Sequence, residues 1–106
     1  MTKLTQQDID NHCAGLNISR ENLTEFVIPD GVTEIEYDAF LLWTSLTSII
    51  VPNSVTEIDF RAFSDCTSLT QVICNNPDLF TNDNIDNKDQ ITFIPIGHQA
   101  ISVFSN

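Results

Sequence analysis

The sequence predicts a β-solenoid, a short coil in which each turn is one repeated unit. Two observations predict it. Residues 23–45 and 46–68 are copies of one 23-residue unit, LTEFVIPDGVTEIEYDAFLLWTS and LTSIIVPNSVTEIDFRAFSDCTS, identical at eleven positions. A third copy opens as LTQVIC at Leu69 and then breaks off. Repetition at this period marks a chain in which each unit buries its apolar side against its neighbours. So short a coil offers a surface and no cleft of its own, so an interaction protein is expected rather than an enzyme.

The length of 106 residues fits a single domain over 1–106. It divides into a helical cap at 1–22, the repeats at 23–74, and a loop, last strand and C-terminal cap at 75–106. Residues 5–14 read as the capping helix. Thr5 caps its start, Asp8 stands three residues on, and Gly15 ends it. The helix does not match the repeat, so it is placed to cover the open end of the coil.

Within each copy Leu23, Phe26 and Ile28 recur as Leu46, Ile49 and Val51, then as Leu69, Val72 and Cys74. The last two of each triplet alternate with outward positions, which is the period of a strand. Pro29 and Pro52 end that strand. Val32 and Ile35, recurring as Val55 and Ile58, make a second extended piece. Ala39-Phe40, recurring as Ala62-Phe63, sit in the turn that carries the chain back. Two aromatic columns, Tyr37 over Phe60 and Phe40 over Phe63, are expected to form most of the core. Residues 75–89 read as a loop with one helical turn after Pro77. Ile91-Thr-Phe-Ile-Pro-Ile reads as a last strand beside 71–74, and 98–104 as a brief C-terminal helix.

Four Lys and Arg face fifteen Asp and Glu, a formal charge of −11. Such a chain is repelled by phosphate backbones and by anionic lipid, which disfavours nucleic-acid and membrane partners. A protein with a basic, or mixed basic and apolar, surface would be attracted. No apolar run is long enough to span a bilayer, and the N-terminus lacks the apolar core of a secretory signal. Cys13, Cys66 and Cys74 are an odd number without CxxC spacing, which speaks against a disulfide framework or a zinc site and for reduced, cytosolic thiols. Without a signal, the sequons at Asn17 and Asn22 read as chance.

The repeat pattern is Leu-x-x-Phe/Ile-x-Ile/Val-Pro-x-x-Val-Thr-x-Ile-x-x-x-Ala-Phe-x-x-Cys/Trp-Thr-Ser-Leu. Its second copy carries it at Leu46, Ile49, Val51, Pro52, Val55, Ile58, Ala62, Phe63, Cys66 and Leu69. The pattern resembles the BspA-type leucine-rich repeat over residues 23–74. The first copy departs at Trp43, where the family has Cys, and at Leu41-Leu42, where it has small polar residues. The resemblance implies a leucine-rich-repeat β-solenoid, a right-handed coil of parallel strands. It also implies surface or secreted proteins that bind host molecules, or small effectors that intracellular bacterial pathogens inject into host cells. With no Sec signal, the effector context fits better: made in the bacterial cytoplasm and delivered by a non-Sec route.

Three surface features are candidates for docking. The strand face points outward Glu25 and Val27, Ser48 and Ile50, Gln71 and Ile73. Stacked at about 4.8 Å per strand, they form a polar column and an apolar, solvent-facing one, Val27, Ile50 and Ile73. The same residues are also what any sheet surface favours. Leu41, Leu42 and Trp43 are the second feature: an inner core position under the N-terminal helix explains Trp43, although tryptophan is also the commonest binding hot spot, while Leu41 and Leu42 are to be covered either by that helix, the favoured reading, or by a partner. The third is a stack of acids, Glu34 over Glu57 and Glu36 over Asp59, which repel across neighbouring strands.

No catalytic constellation is expected. His12 and Cys13 are adjacent on a helix and point apart, Cys66 sits in a core position, and no glycine-rich phosphate loop appears. The run 82–89 has calcium-type oxygens but lacks the central Gly and closing Glu of an EF-hand loop. The expected function is a non-enzymatic protein-binding module, a bacterial effector or a regulator of one, that can inhibit a partner enzyme by covering it. The alternative is a structural or adhesive repeat protein of a bacterial surface. No cofactor or metal is expected.

Overall fold

Each 23-residue copy folds as one coil of a β-solenoid. The computed structural model describes residues 2–17, 22–86 and 88–96. Each coil opens with a short strand: β2 (Glu25–Val27), β4 (Ser48–Ile50), β6 (Gln71–Ile73) and β7 (Thr92–Ile94). These four pair in parallel, in the order β2-β4-β6-β7. Glu25 lies beside Ser48 and Ser48 beside Gln71, so equivalent residues of successive copies are partners. A second sheet is built from the next extended piece of each coil, β3 (Val32–Ile35) and β5 (Glu57–Ile58). Its third member is β1 (Thr2–Leu4), which pairs in parallel with β3 and which the repeat pattern did not foreshadow.

Register is held by hydrogen bonds at a constant offset. The amide N–H of Thr47 donates to the Thr24 carbonyl at 2.7 Å, and that of Thr70 to Thr47 at 3.0 Å. The Thr47 hydroxyl also donates to the Thr24 carbonyl, at 3.0 Å, and the Thr56 hydroxyl to Thr33, at 3.3 Å. Repeated threonines therefore stitch the coils twice at one point, and their β-branching suits the extended backbone.

The N-terminal helix α1 (Gln6–Gly15) starts as expected. The Thr5 hydroxyl accepts from the Asp8 amide at 3.1 Å, and the Asp8 carboxylate accepts from the Thr5 amide at 3.0 Å. Gly15 does not end it. The helix runs through Gly15 to a cap at Leu16, and the left-handed residue is Asn17, with φ 55°. Asparagine tolerates that conformation because its side chain bonds locally. Ile9 and Cys13 are buried under the helix, and the His12 ring meets Phe26 edge-on at 5.1 Å, so α1 closes the first coil.

The core is a file of aromatic rings. Phe26 meets Phe40 edge-on at 5.4 Å, Phe40 stacks on Phe63 at 4.7 Å, Phe63 lies 5.5 Å from Phe80, and Phe80 5.5 Å from Phe93. Trp43 stacks on Phe40 at 5.6 Å. Of the two columns expected inside, only Phe40–Phe63 is there. Tyr37 and Phe60 do stack, at 6.1 Å, but outside, 49% and 57% exposed. The residues after them, Asp38 and Arg61, have φ near +60°, and this left-handed step turns the chain at the corner.

The third coil continues where the repeat pattern stops. From Gln71 to Thr92 it returns in 21 residues, against 23 for the first two. The expected helical turn after Pro77 is a 3-10 turn, Pro77–Leu79, and a second covers Lys88–Gln90. The segment 75–89 is thus more than a loop. Phe80 and Ile85 fill its interior, and Ile85 pairs with Phe63. The buried Asn84 amide donates to the carbonyls of Leu79 (2.8 Å) and Ile58 (3.3 Å) and accepts from the Thr81 N–H (2.9 Å), so one side chain does the work of a strand. The expected helix at 98–104 lies outside the described residues.

Phe63→Ala should destabilise the fold by about 3–5 kcal/mol through the cavity it leaves. Phe60→Ala should cost no more than about 1 kcal/mol, the worth of one exposed ring contact. Urea denaturation of the two variants reads the difference; equal losses would contradict the assignment of inside and outside.

Candidate protein interface

The outer face of the four-stranded sheet is graded, not uniform. Val27 is 60% exposed, Ile50 is half-buried, and Ile73 is only 2% exposed. The expected apolar, solvent-facing column therefore does not extend to Ile73. The reason is position in the sheet. Val27 stands on the edge strand with one neighbour, whereas Ile73 lies between Ile50 and Ile94. The polar column behaves alike: Glu25 is exposed, Gln71 half-buried, and Ser48 buried with its hydroxyl 3.4 Å from Gln71 Oε1. What this face leaves exposed is Glu25 and Val27, with part of Ile50 and of Gln71.

Leu41, Leu42 and Trp43 separate completely. Trp43 is a core residue, and its indole N–H donates to the Leu23 carbonyl at 3.0 Å and to Ser45 Oγ at 3.1 Å. It is not available to a partner. Leu41 is half-buried. Leu42 is 61% exposed, so α1 does not cover it. Its φ is +62°, as that of Asp65 at the same place in the next coil is +60°. A left-handed backbone costs an ordinary L-residue about 1–2 kcal/mol, and aspartate bears it better than leucine. The left-handed step thus belongs to the repeat corner, and what sets the first coil apart is the exposed apolar side chain that stands on it.

The acid stack is present in the second sheet. Glu34 and Glu57 are partners across β3 and β5, and oxygens of Glu34, Glu57 and Asp59 lie within 4.8 Å of one another. Lys3, brought alongside by β1, sits 3.4 Å from Glu34, whose hydrogen bond and charge hold the ammonium above its ordinary value. Glu57 is less well compensated. A hydrogen bond to Asp59 and the Glu34 charge push its carboxyl above the ordinary glutamate range. Three carboxylates this close are the donor type a hard divalent cation takes, though exposed acids often gather without one.

Two side-chain oxygens of the 82–89 run are used internally. Asp86 Oδ2 accepts from the Asp65 N–H at 2.8 Å, and Asn84 serves the backbone as above. All three thiols are buried. Cys66 Sγ lies 3.1 Å from the Phe40 carbonyl, and burial raises the Cys74 thiol, which keeps it protonated and poorly nucleophilic.

The surface residues that sequence reasoning missed are Tyr37 and Phe60. Their recurrence 23 residues apart reads the same whether a column faces in or out. The signal available was the next residue: Asp38 and Arg61 are charged at a corner, and a charged neighbour in both copies places the bend, and so the preceding ring, at the surface.

No helix among the described residues is long and apolar enough to cross a membrane. A family model described as the BspA type leucine rich repeat region (6 copies) matches residues 18–103. Comparison with curated proteins and with solved structures returned no match.

Because the Glu57 carboxyl is raised on folding, its charge opposes the fold once ionised. The penalty is absent below its unfolded value and grows as pH rises through the unfolded and then the folded value. Glu57→Gln should therefore raise the melting temperature at neutral pH, and the gain should vanish below the glutamate range. A gain that persisted in acid would mean that the substitution acts through packing and not through charge.

Proposed function

The chain belongs to the BspA-type leucine-rich repeat family, and from that membership we propose that it is a single-domain, non-enzymatic module that binds another protein through its exposed strand edge and the adjoining corner. Leucine-rich-repeat domains generally mediate protein–protein binding, and their solenoids are typically not enzymes. The observation that carries the choice of surface is Val27. It is a large apolar residue, 60% exposed, on an edge strand, beside the charged Glu25 and the half-buried Ile50. An apolar centre with a polar rim is the usual anatomy of an interface. Leu42 is the second anchor, because it sets an exposed apolar side chain on a left-handed corner where the next coil, likewise exposed and with nearly the same φ, has the charged Asp65.

The finer form of the proposal gives the partner a basic or mixed basic and apolar surface. The formal charge of −11 supports it, since such a field steers a basic partner in and turns like-charged ones away. If the partner is an enzyme, covering its active site would inhibit it. A role as a bacterial effector, or as a regulator of one, delivered into a host cell by a non-Sec route, rests on the resemblance of small leucine-rich-repeat chains to such proteins.

Affinity capture with the purified chain tests the surface. Val27→Glu should weaken capture of a stoichiometric partner at least about tenfold, the effect of spoiling a central contact. Leu42→Asn should weaken it too, while leaving the fold as stable or more stable by about 1 kcal/mol, since asparagine suits the left-handed corner. Partner affinity unchanged in both, with native circular dichroism, would remove this surface from consideration.

A further inference from the structure

The corner carrying Tyr37 and Phe60 already holds one arginine of the chain itself. The Arg61 guanidinium carbon lies 5.9 Å from the Tyr37 ring centroid, and Arg61 Nε lies 3.4 Å from Asp38 Oδ1. That carboxylate oxygen is buried and receives no hydrogen bond, so the ion pair is its compensation. A ring attracts the cation through its face, and the carboxylate neutralises it.

One coil further on, half of the same arrangement is present. Phe60 stands where Tyr37 stands, stacked on it at 6.1 Å with the ring planes 17° apart. The column Asp38, Arg61 continues to Asp83, whose carbonyl accepts the Arg61 N–H at 2.8 Å. Beyond Phe60 opens a hollow of about 440 Å³, lined by the Phe60 ring and Leu79 and by the carboxyl-bearing Glu57, Asp78 and Asp83. Among the described residues, no lysine, arginine or histidine lines it. The aromatic residue is thus repeated, while acid and cation exchange places: Arg61 stands where Asp38 stands, and the third copy, which has lost the repeat, carries Asn82-Asp83 where the second has Phe60-Arg61, so the carboxyls around the hollow come from Glu57, Asp78 and Asp83 instead.

We propose that this hollow takes an arginine side chain of a partner protein, its guanidinium against the Phe60 ring and the surrounding carboxylates, as Arg61 lies against Tyr37 and Asp38. Arginine fits better than lysine. Its planar, weakly hydrated guanidinium stacks on a ring and meets carboxylates with a fork of donors, whereas an ammonium is a compact, strongly hydrated charge. The excess of acidic residues draws such a side chain in. None of the strand-face residues lines the hollow, so the site stands whether or not that face binds.

The full chain, isotope-labelled, is titrated with a blocked tetra-arginine peptide, and with tetralysine and tetraglutamine peptides of the same design, and followed by NMR. Tetra-arginine should shift the signals of Phe60, Leu79 and Asp83 first and bind more tightly than tetralysine, with tetraglutamine silent. Phe60→Ala should weaken tetra-arginine binding about two- to fivefold, the worth of an exposed ring–cation contact. Asp78→Asn, an exposed change in a 3-10 turn, should weaken it as well. Val27→Glu should leave it unaltered, which separates this site from the strand face. Shifts spread evenly over all the acidic side chains, tetralysine binding as tight as tetra-arginine, or full affinity in both Phe60→Ala and Asp78→Asn would overturn the proposal.

Discussion

The aromatic file through the centre is the constraint on which the rest of the structure depends. Rings follow one another from His12 on the helix through Phe26, Phe40, Phe63 and Phe80 to Phe93 on the last strand, at centroid separations between 4.7 and 5.5 Å. A single coil of about two dozen residues cannot bury its own apolar side; it becomes stable only when a neighbour covers it. The file supplies that cover at every junction, including the two irregular ones. At the start, α1 lays His12 on Phe26. At the end, Phe80 and Phe93 continue the file after the sequence repeat has gone.

A fixed interior leaves the corners free to differ, and that is where the two intact copies diverge. Leu41-Leu42 face Ser64-Asp65, and Asp38 faces Arg61, on backbones of nearly the same φ. The left-handed steps at these corners put the side chains on the outside without disturbing the stack. The strand face is less free. Its edge strand exposes Val27, but successive strands cover one another, and the exposure is lost by Ile73. A partner would therefore find one end of this small solenoid and its corners more open than the centre of its sheet.

The 23-residue period made the coil, the strand register and the buried Phe40–Phe63 column legible in the sequence, and the Thr5–Asp8 spacing made the helix start legible. The third coil was not, because it is two residues shorter and uses Asn84 side-chain bonds in place of strand pairing. β1 was not, because three residues carry no period and their place is set by pairing with β3 and by Lys3 beside Glu34. Of the candidate interface, Val27 is exposed as read, Leu42 is exposed where cover by the N-terminal helix was the favoured reading, and Trp43 and Ile73 are buried. Tryptophan in a repeat core position was ambiguous by size alone, and Ile73 depends on what flanks it, which alternation cannot reveal. Tyr37 and Phe60 were placed inside because repetition reports that two residues stack, not which way they face.

Native-state amide hydrogen exchange at increasing denaturant tests the central claim, that the aromatic file joins the coils into one cooperative unit. The amides of Phe40, Val51, Phe63 and Cys74, each bonded to the following coil, should converge on a single opening free energy equal to that of global unfolding. Separate, graded free energies falling from one coil to the next would contradict it, and would mean that each coil opens on its own and the file does not bind them together.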